Sequence, residues 1–292
     1  MDVVYYMINT FINAMARRRF QAIGAERVMV SYKNRFPFKI GTTSFILPVK
    51  EESVVANVVY LKDSFDLVQL LFFGREYLDE VMSPKIIRDL KAIRDESGLR
   101  YTVHLPSDLE LLNPSASAME DSIGVIEKIM AETEILDIDG YVLHVDRLVK
   151  GSPSVELDRE QFNLFHRALD AISVKLANSA GNIFIENTNY DLTFFSSLIM
   201  RSRCSVCMDA GHITLHGHDY GRFIEVFHRK IRQVHLHGVS GGRDHQALTA
   251  LDVVSSGLFN HFLKDYTGSV VIEVYNLKDL VKSGEFVERF CK

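Results

Sequence analysis

No uninterrupted apolar run in the chain approaches the ~18 residues that a membrane-crossing helix needs, so no membrane partner is expected. Basic residues are in deficit: 33 Lys and Arg against 38 Asp and Glu leave a formal charge of −5. A duplex-binding protein gains affinity by neutralising phosphates and usually carries a basic face, so no nucleic-acid partner is expected either. Cysteine is scarce, at Cys204, Cys207 and Cys291 only. The Cys204-x-x-Cys207 pair lacks the second pair of a zinc ribbon. Both thiols fall on or beside an apolar run, where small core residues are expected. Without a disulfide framework, the expected compartment is the cytoplasm. The opening MDVVYYMINTFINAMARRRF puts its apolar stretch before its arginines, the reverse of a secretory signal. Residues 1–35 are expected to be an extra helix packed on the base of the main domain or an extension with no catalytic part, with an amphipathic membrane-surface helix as the lesser alternative.

No linker or low-complexity stretch divides the remainder of the chain. The 292 residues, 47% hydrophobic and 24% charged, suit a single large α/β barrel, which typically needs about 250 residues. From Phe38 onward, short apolar runs alternate with longer helical patterns, the mark of repeated βα units. Strands are expected near Phe38 (FKIGT), Asp66 (DLVQLLFF), Arg100 (RYTVHL), Gly140 (GYVLHVD), Asn182 (NIFIEN), Ser205 (SVCMD), Arg232 (RQVHLHG) and Ser269 (SVVIEVY). Their β-branched and aromatic content suits strands buried on both faces. Ser83–Pro84 and Asn113–Pro114 read as helix openings, and Gly98 and Gly181 as C-caps. Asp158–Ala180 carries Phe162, Phe165, Leu169, Ile172 and Leu176 near helical spacing. Asn276 is a competent N-cap for a short helix after the last strand. Eight such units close most simply as a (β/α)8 TIM barrel over residues 36–292, with the helical extension at its N-terminus.

The chemistry gathers at the ends of these strands. Seven of the eleven histidines fall between Ser205 and Leu248. The third strand ends in His104, the fourth in His144, the fifth in Glu186 and the sixth in Asp209, with His212 just after it. The seventh supplies His235 and His237, the following loop His245, and the eighth Glu273. Barrel strands deliver their last residues to one rim. Three carboxylates meeting there, buried, would repel one another unless a cation offset them. Nitrogen and oxygen donors without thiolate favour zinc, with manganese or iron as alternatives. So many ligands exceed the four of one tetrahedral ion, so two or three ions bridged by Glu186 are expected. Separate surface histidines would be the plainer reading of each residue taken alone.

This ordered set resembles the endonuclease IV branch of the xylose isomerase-like TIM barrels, from about Phe38 to the C-terminus. The resemblance implies one ion on His104, His144 and Glu186, a second on Glu186, Asp209, His235 and Glu273, and a third on His212 and His245. The family pattern has Asp two residues before the loop histidine; here that position is Arg243, with Asp244 beside it as the substitute. A closer resemblance runs through KIGTTSFILP, TVHLP, YVLHVD, IENTNY, CMDAGH, HLHGV and GRDHQAL, which look like the cobamide-remodelling phosphodiesterases. It spans Phe36 to Leu248 and Glu273, and implies a cobamide (corrinoid) substrate cut at the phosphodiester between ribose and the aminopropanol arm.

For metal-assisted hydrolysis of a phosphodiester, Glu186 and Glu273 are the catalytic candidates, Glu273 orienting or deprotonating the nucleophile. Arg243 is a candidate for a substrate phosphate, and Thr42, Thr43 and Ser44 for substrate hydrogen bonds. Tyr190 and Tyr275 follow rim carboxylates and are candidates to stack on a flat substrate. His216, His218 and His237 are expected to support the ligands or lie at the surface, and His166, His228 and His261 fall in helices. Three other functions compete. A sugar isomerase or epimerase would need only Glu186, Asp209, His235 and Glu273, leaving the other histidines without work. A DNA-repair nuclease shares the ligands but not the charge balance. A non-catalytic corrinoid or metal carrier would turn over nothing.

Overall fold

A computed structural model describes residues 30–47, 53–145, 158–248 and 258–290. The expected helix of the N-terminal extension therefore lies outside the described residues, as does Cys291. All eight expected strands form: β1 (Lys39–Thr43), β2 (Leu67–Leu71), β3 (Arg100–His104), β4 (Tyr141–His144), β5 (Ile183–Glu186), β6 (Ser205–Asp209), β7 (Ile231–Leu236) and, last in the chain, β10 (Ser269–Ile272). They run parallel and close, β10 pairing with β7 on one side and β1 on the other. The seam is in register from Lys39 opposite Ser269 to Thr42 opposite Ile272. This is a TIM barrel. Its strands are almost wholly buried, because side chains fill the barrel on one face and pack against the surrounding helices on the other.

The helices follow local chemistry. Pro84–Ser97 opens with Pro84 at its first position and closes on Gly98 in the left-handed region. Arg159–Lys175 begins with a reciprocal box between Asp158 and Gln161. Asn276 accepts from the Asp279 amide at 2.9 Å and opens Leu277–Phe290, a helix of 14 residues rather than a short one. Two further local expectations are corrected. After Asn113–Pro114 the helix starts only at Ala116, since the Asn113 amide oxygen accepts from Ser115 N at 2.9 Å and makes a turn first. Gly181 lies inside a 3₁₀ segment, and the left-handed residue after the preceding helix is Ala177. The loop after β7 contains a hairpin, β8 (Gly238–Ser240) with β9 (Arg243–Gln246). Gly241 and Gly242 turn it with φ of 59° and 72°, a geometry that glycine takes without steric cost.

At the opposite end, residues that the sequence assigns to the extension are tied into the barrel floor. The Tyr32 ring is buried against Phe65. The Asp66 carboxylate accepts from Asn34 N at 2.9 Å and Ile40 N at 3.0 Å, pinning the entry to β1 against β2. Among the described residues no helix is long and apolar enough to cross a membrane. Replacing Asp66 by Ala strands two amides beneath the barrel, at a cost of about 2–4 kcal/mol. Urea unfolding of D66A is expected to show that loss with an unchanged m-value.

Candidate metal centre

Parallel strands bring their carboxyl ends to one mouth, and register decides which neighbours meet there. His144 stands opposite Glu186 across β4–β5, and Asp209 opposite His235 across β6–β7. Glu186, Asp209, His235 and His237 are fully buried and Glu273 nearly so. One donor atom from each of Glu186, Asp209, His235 and Glu273 lies within 4.8 Å of the others; the same holds for His104, His144 and Glu186, and for His212, His237 and His245. The eight candidate ligands thus fall into two groups that share Glu186 and a separate one in which His237 joins His212 and His245. At 4.8 Å, each pair of ionised carboxylates repels by roughly 3–4 kcal/mol even at an effective dielectric constant near 20. Three carboxylates need compensation.

Glu186 faces two ways. Its Oε2 lies 3.4 Å from His104 Nε2 and 3.2 Å from His144 Nε2, and its Oε1 lies 3.2 Å from His235 Nδ1 and 3.6 Å from His212 Nδ1. Oε2 is buried without a hydrogen bond among the described residues, as is Glu273 Oε2. Buried carboxylate oxygens left so are costly, and cations at these positions would satisfy both.

The histidines are aimed by backbone carbonyls. His104 Nδ1 lies 2.8 Å from Leu105 O, His212 Nδ1 3.0 Å from Asn187 O, and His245 Nδ1 3.2 Å from Glu273 O. An N–H donated there leaves the Nε2 lone pair of each ring for a ligand, the arrangement by which metal-binding imidazoles are oriented. His235 is the reverse case. Its Nε2 lies 3.0 Å from Gln69 Oε1, which also accepts from the Gln233 amide. Its Nδ1 then faces Glu273 Oε2 at 2.8 Å, Glu186 Oε1 at 3.2 Å and Asp209 Oδ2 at 3.6 Å. A ring that donates from Nε2 to Gln69 turns its Nδ1 lone pair toward three carboxylates, where a cation would be held, whereas one that accepts at Nε2 from the Gln233 amide, 2.8 Å away, donates from Nδ1 to Glu273. Charge shifts point the same way. Burial would push the Glu273 carboxyl up, but His235 outweighs it and brings it down to about 2. Burial likewise opposes ionisation of Glu186, and His235 and His144 hold it well below the carboxylate range. Burial opposes charge on His235, yet Cys207, Glu273 and Glu186 raise it well above the ordinary imidazole value. The donor set fits divalent cations.

His237, not expected among the ligands, is buried at the centre. Its Nδ1 accepts from His245 N at 3.0 Å, so its Nε2 can donate to Asp209 Oδ1 at 3.1 Å. It steadies Asp209, and Asp209 raises it to about 9 against the effect of burial. Gly211 leaves room for the ring: a Cβ there would stand 2.0 Å from His237 Cε1. His245 has a φ of 50°, an uncommon conformation for a non-glycine residue that collects at functional sites. Asp244 Oδ2 lies 3.8 Å from both His212 Nε2 and His245 Nε2, so the neighbour of Arg243 does reach the third group. Asn187 braces the rim, exchanging hydrogen bonds of 2.8 and 2.9 Å with the backbone of Asp209.

Several expected substrate contacts are engaged elsewhere. Thr42 Oγ1 donates to Ile272 O at 2.8 Å and Thr43 Oγ1 to Val274 O at 3.1 Å, both buried in the barrel seam. Ser44 Oγ accepts from Leu71 N at 3.1 Å. The Tyr190 hydroxyl donates to Val145 O, and its buried ring packs on Phe195. Arg243 is exposed at the hairpin turn, and Asp244 takes its expected place on the cavity wall. His216 and His218 stack on each other at 5.8 Å, outside the ligand groups. The cavity over the ligands holds about 300 Å³, with Phe72, Phe73 and Tyr275 among its walls. Gln69, Asn187 and Asp244 complete the centre; a glutamine inside the apolar run DLVQLLFF was the available sign of the first.

The sequence model of the xylose isomerase-like TIM barrel family matches residues 60–288. No curated protein matches the chain by sequence. Among solved structures, a D-tagatose 3-epimerase-like protein is similar at 22% identity and a TM-score of 0.66, over 87% of this chain and 97% of that one. An L-ribulose 3-epimerase gives 16% and 0.66, over 87% and 94%. Endonuclease IV from Thermus thermophilus gives 16% and 0.59, over 86% and 98%. At these identities the likeness is one of fold. The Gln69 contact yields a direct test: Gln69→Leu removes the acceptor that orients His235 and is expected to weaken metal binding roughly 10–100-fold, read by chelator competition, with the far-ultraviolet dichroism unchanged.

Proposed function

The chain belongs to the xylose isomerase-like TIM barrel family, and on that premise we propose that it is a metal-dependent phosphodiester hydrolase that opens the nucleotide loop of cobamides. The observation that carries this reading is the two-sided setting of Glu186, with His104 and His144 on one oxygen and His235 and His212 on the other. A bridging carboxylate is what a multi-ion centre needs, and zinc in two or three positions suits its nitrogen and oxygen donors. His104, His144 and Glu186 would hold one ion, and Glu186, Asp209, His235 and Glu273 a second. His212 and His245 would hold a third, with Asp244 in reach. The choice of cobamide rests on the run TVHLP, YVLHVD, IENTNY, CMDAGH and GRDHQAL.

Divalent cations held there supply Lewis acidity toward the phosphoryl oxygens and make water acidic enough to ionise near neutrality. The protein's own groups then set the geometry. Tyr275 donates to Glu273 Oε1 at 3.2 Å and holds this carboxylate at the mouth, where it would orient an attacking water or accept its proton. As the water oxygen bonds to phosphorus, one P–O ester bond breaks, the water's proton passes to Glu273 and the departing alkoxide takes up a proton from solvent. His237, through Asp209, and Gln69, through His235, keep the donor atoms from turning away.

A sugar epimerase is the second reading, favoured by the buried quartet Glu186, Asp209, His235 and Glu273, which would suffice for one ion. Metal content separates the two: two or more ions per chain by plasma mass spectrometry are expected, whereas one ion with epimerase turnover would replace the present reading. Anaerobic incubation of zinc- or manganese-loaded protein with several cobamides is expected to release the nucleotide portion, identified by mass. Glu186→Ala is expected to lose bound metal and to reduce turnover by at least roughly 10²–10³-fold. Absence of product from any cobamide would leave a carrier role.

A further inference from the structure

β10, β1 and β2 are consecutive neighbours in the barrel, and an aromatic residue stands just beyond the end of each: Tyr275, Phe45 and Phe73. Their rings meet edge to face, Phe45 and Phe73 at 5.0 Å and 80°, Phe45 and Tyr275 at 6.5 Å and 72°, Phe73 and Tyr275 at 6.3 Å and 67°. Phe45 is 42% and Phe73 48% exposed. An apolar cluster kept open at the rim of a polar site marks a surface with a ligand to cover. The cluster adjoins the candidate ligands, since the Tyr275 ring lies 4.7 Å from that of His245, and Phe73 and Tyr275 line the same cavity as Glu186 and Glu273.

We propose that Phe45, Phe73 and Tyr275 form the subsite for a planar heteroaromatic base carried on the same nucleotide unit as the phosphate at the metal centre. This rests on the phosphodiesterase reading of that centre. Two phenyl rings near a right angle offer a base one ring to lie flat against and another to meet edge-on, both favourable geometries for π-systems. A base requires no hydrogen bond to its face, so the tolerance of stacking for different bases applies here. A sugar ring would bring hydroxyls against Phe45 and Phe73, which cannot pair them, and the Tyr275 hydroxyl is taken by Glu273. The triad therefore favours a base over a second sugar and adds an affinity element that the ligand histidines cannot supply.

The test is calorimetric, on the metal-loaded protein, with adenosine and benzimidazole ribonucleotides compared with ribose 5-phosphate, which carries the phosphate without a base. At least one base is expected to improve affinity about tenfold or more over ribose 5-phosphate. The double variant F45A/F73A is expected to lose that advantage while keeping its ribose 5-phosphate affinity, metal content and melting temperature. F45Y/F73Y is expected to retain it. Equal binding of the nucleotides and ribose 5-phosphate by the wild-type protein, or an advantage that survives in F45A/F73A, overturns the proposal. Because the readout is binding, a protein that cleaved no phosphodiester would refute the function proposed above and leave this measurement to decide the subsite on its own.

Discussion

Mutual repulsion among Glu186, Asp209 and Glu273 is the constraint that governs the rest of this mouth. Three carboxylates, buried or nearly so, with donor atoms within 4.8 Å around His235, form an arrangement that a stable core would not keep for packing alone. The barrel supplies what such a cluster requires. Its closed strand ladder fixes the backbones from which or beside which these side chains project. Replacing one of these carboxylates by a neutral residue would take away its repulsion of the others together with its attraction for the histidines around it, and with both a donor that a cation needs.

Orientation is enforced with equal economy. Backbone carbonyls of Leu105, Asn187 and Glu273 take one nitrogen of His104, His212 and His245, so three rings are directed by groups that no side-chain substitution can remove. His235 depends instead on Gln69, from the opposite part of the chain, and Asp209 on His237. Ligand order and support are thus distributed over strands far apart in sequence and adjacent in space. That organisation keeps the candidate ligand atoms fixed while leaving the loops beyond β1, β2 and β10 to vary, consistent with a family that holds one fold across different chemistries.

The sequence announces the strands because a parallel barrel buries both faces, so FKIGT, NIFIE and SVVIE stand out as compact apolar runs. It announces the rim because a charged or imidazole residue at the end of such a run has few reasons to be there. What it conceals are partners distant along the chain. Thr42 and Thr43 carry hydroxyls suited to substrate, yet these bond to carbonyls 230 residues or more away. Tyr190 looks like a rim aromatic and is consumed by Val145 O, 45 residues back. His235 lies at the end of β7 as a candidate ligand and His237, just beyond the strand, is a support, as the sequence allowed; what the sequence conceals is the hairpin that brings His245 N to His237 and shows how it is held. The delayed start of the helix at Ala116 has a local cause, the Asn113 turn, in competition with the equally local proline signal.

The central claim is that Glu186 joins two cation positions at the mouth of a closed barrel. Anomalous diffraction from crystals of zinc-loaded protein, recorded on both sides of the zinc edge, tests it most directly. The account predicts at least two peaks, one on the His104 and His144 side of Glu186 and one on the His235 and Glu273 side, with a carboxylate oxygen turned to each. A single peak among Glu186, Asp209, His235 and Glu273, with His104 and His144 contacting no metal, would contradict it.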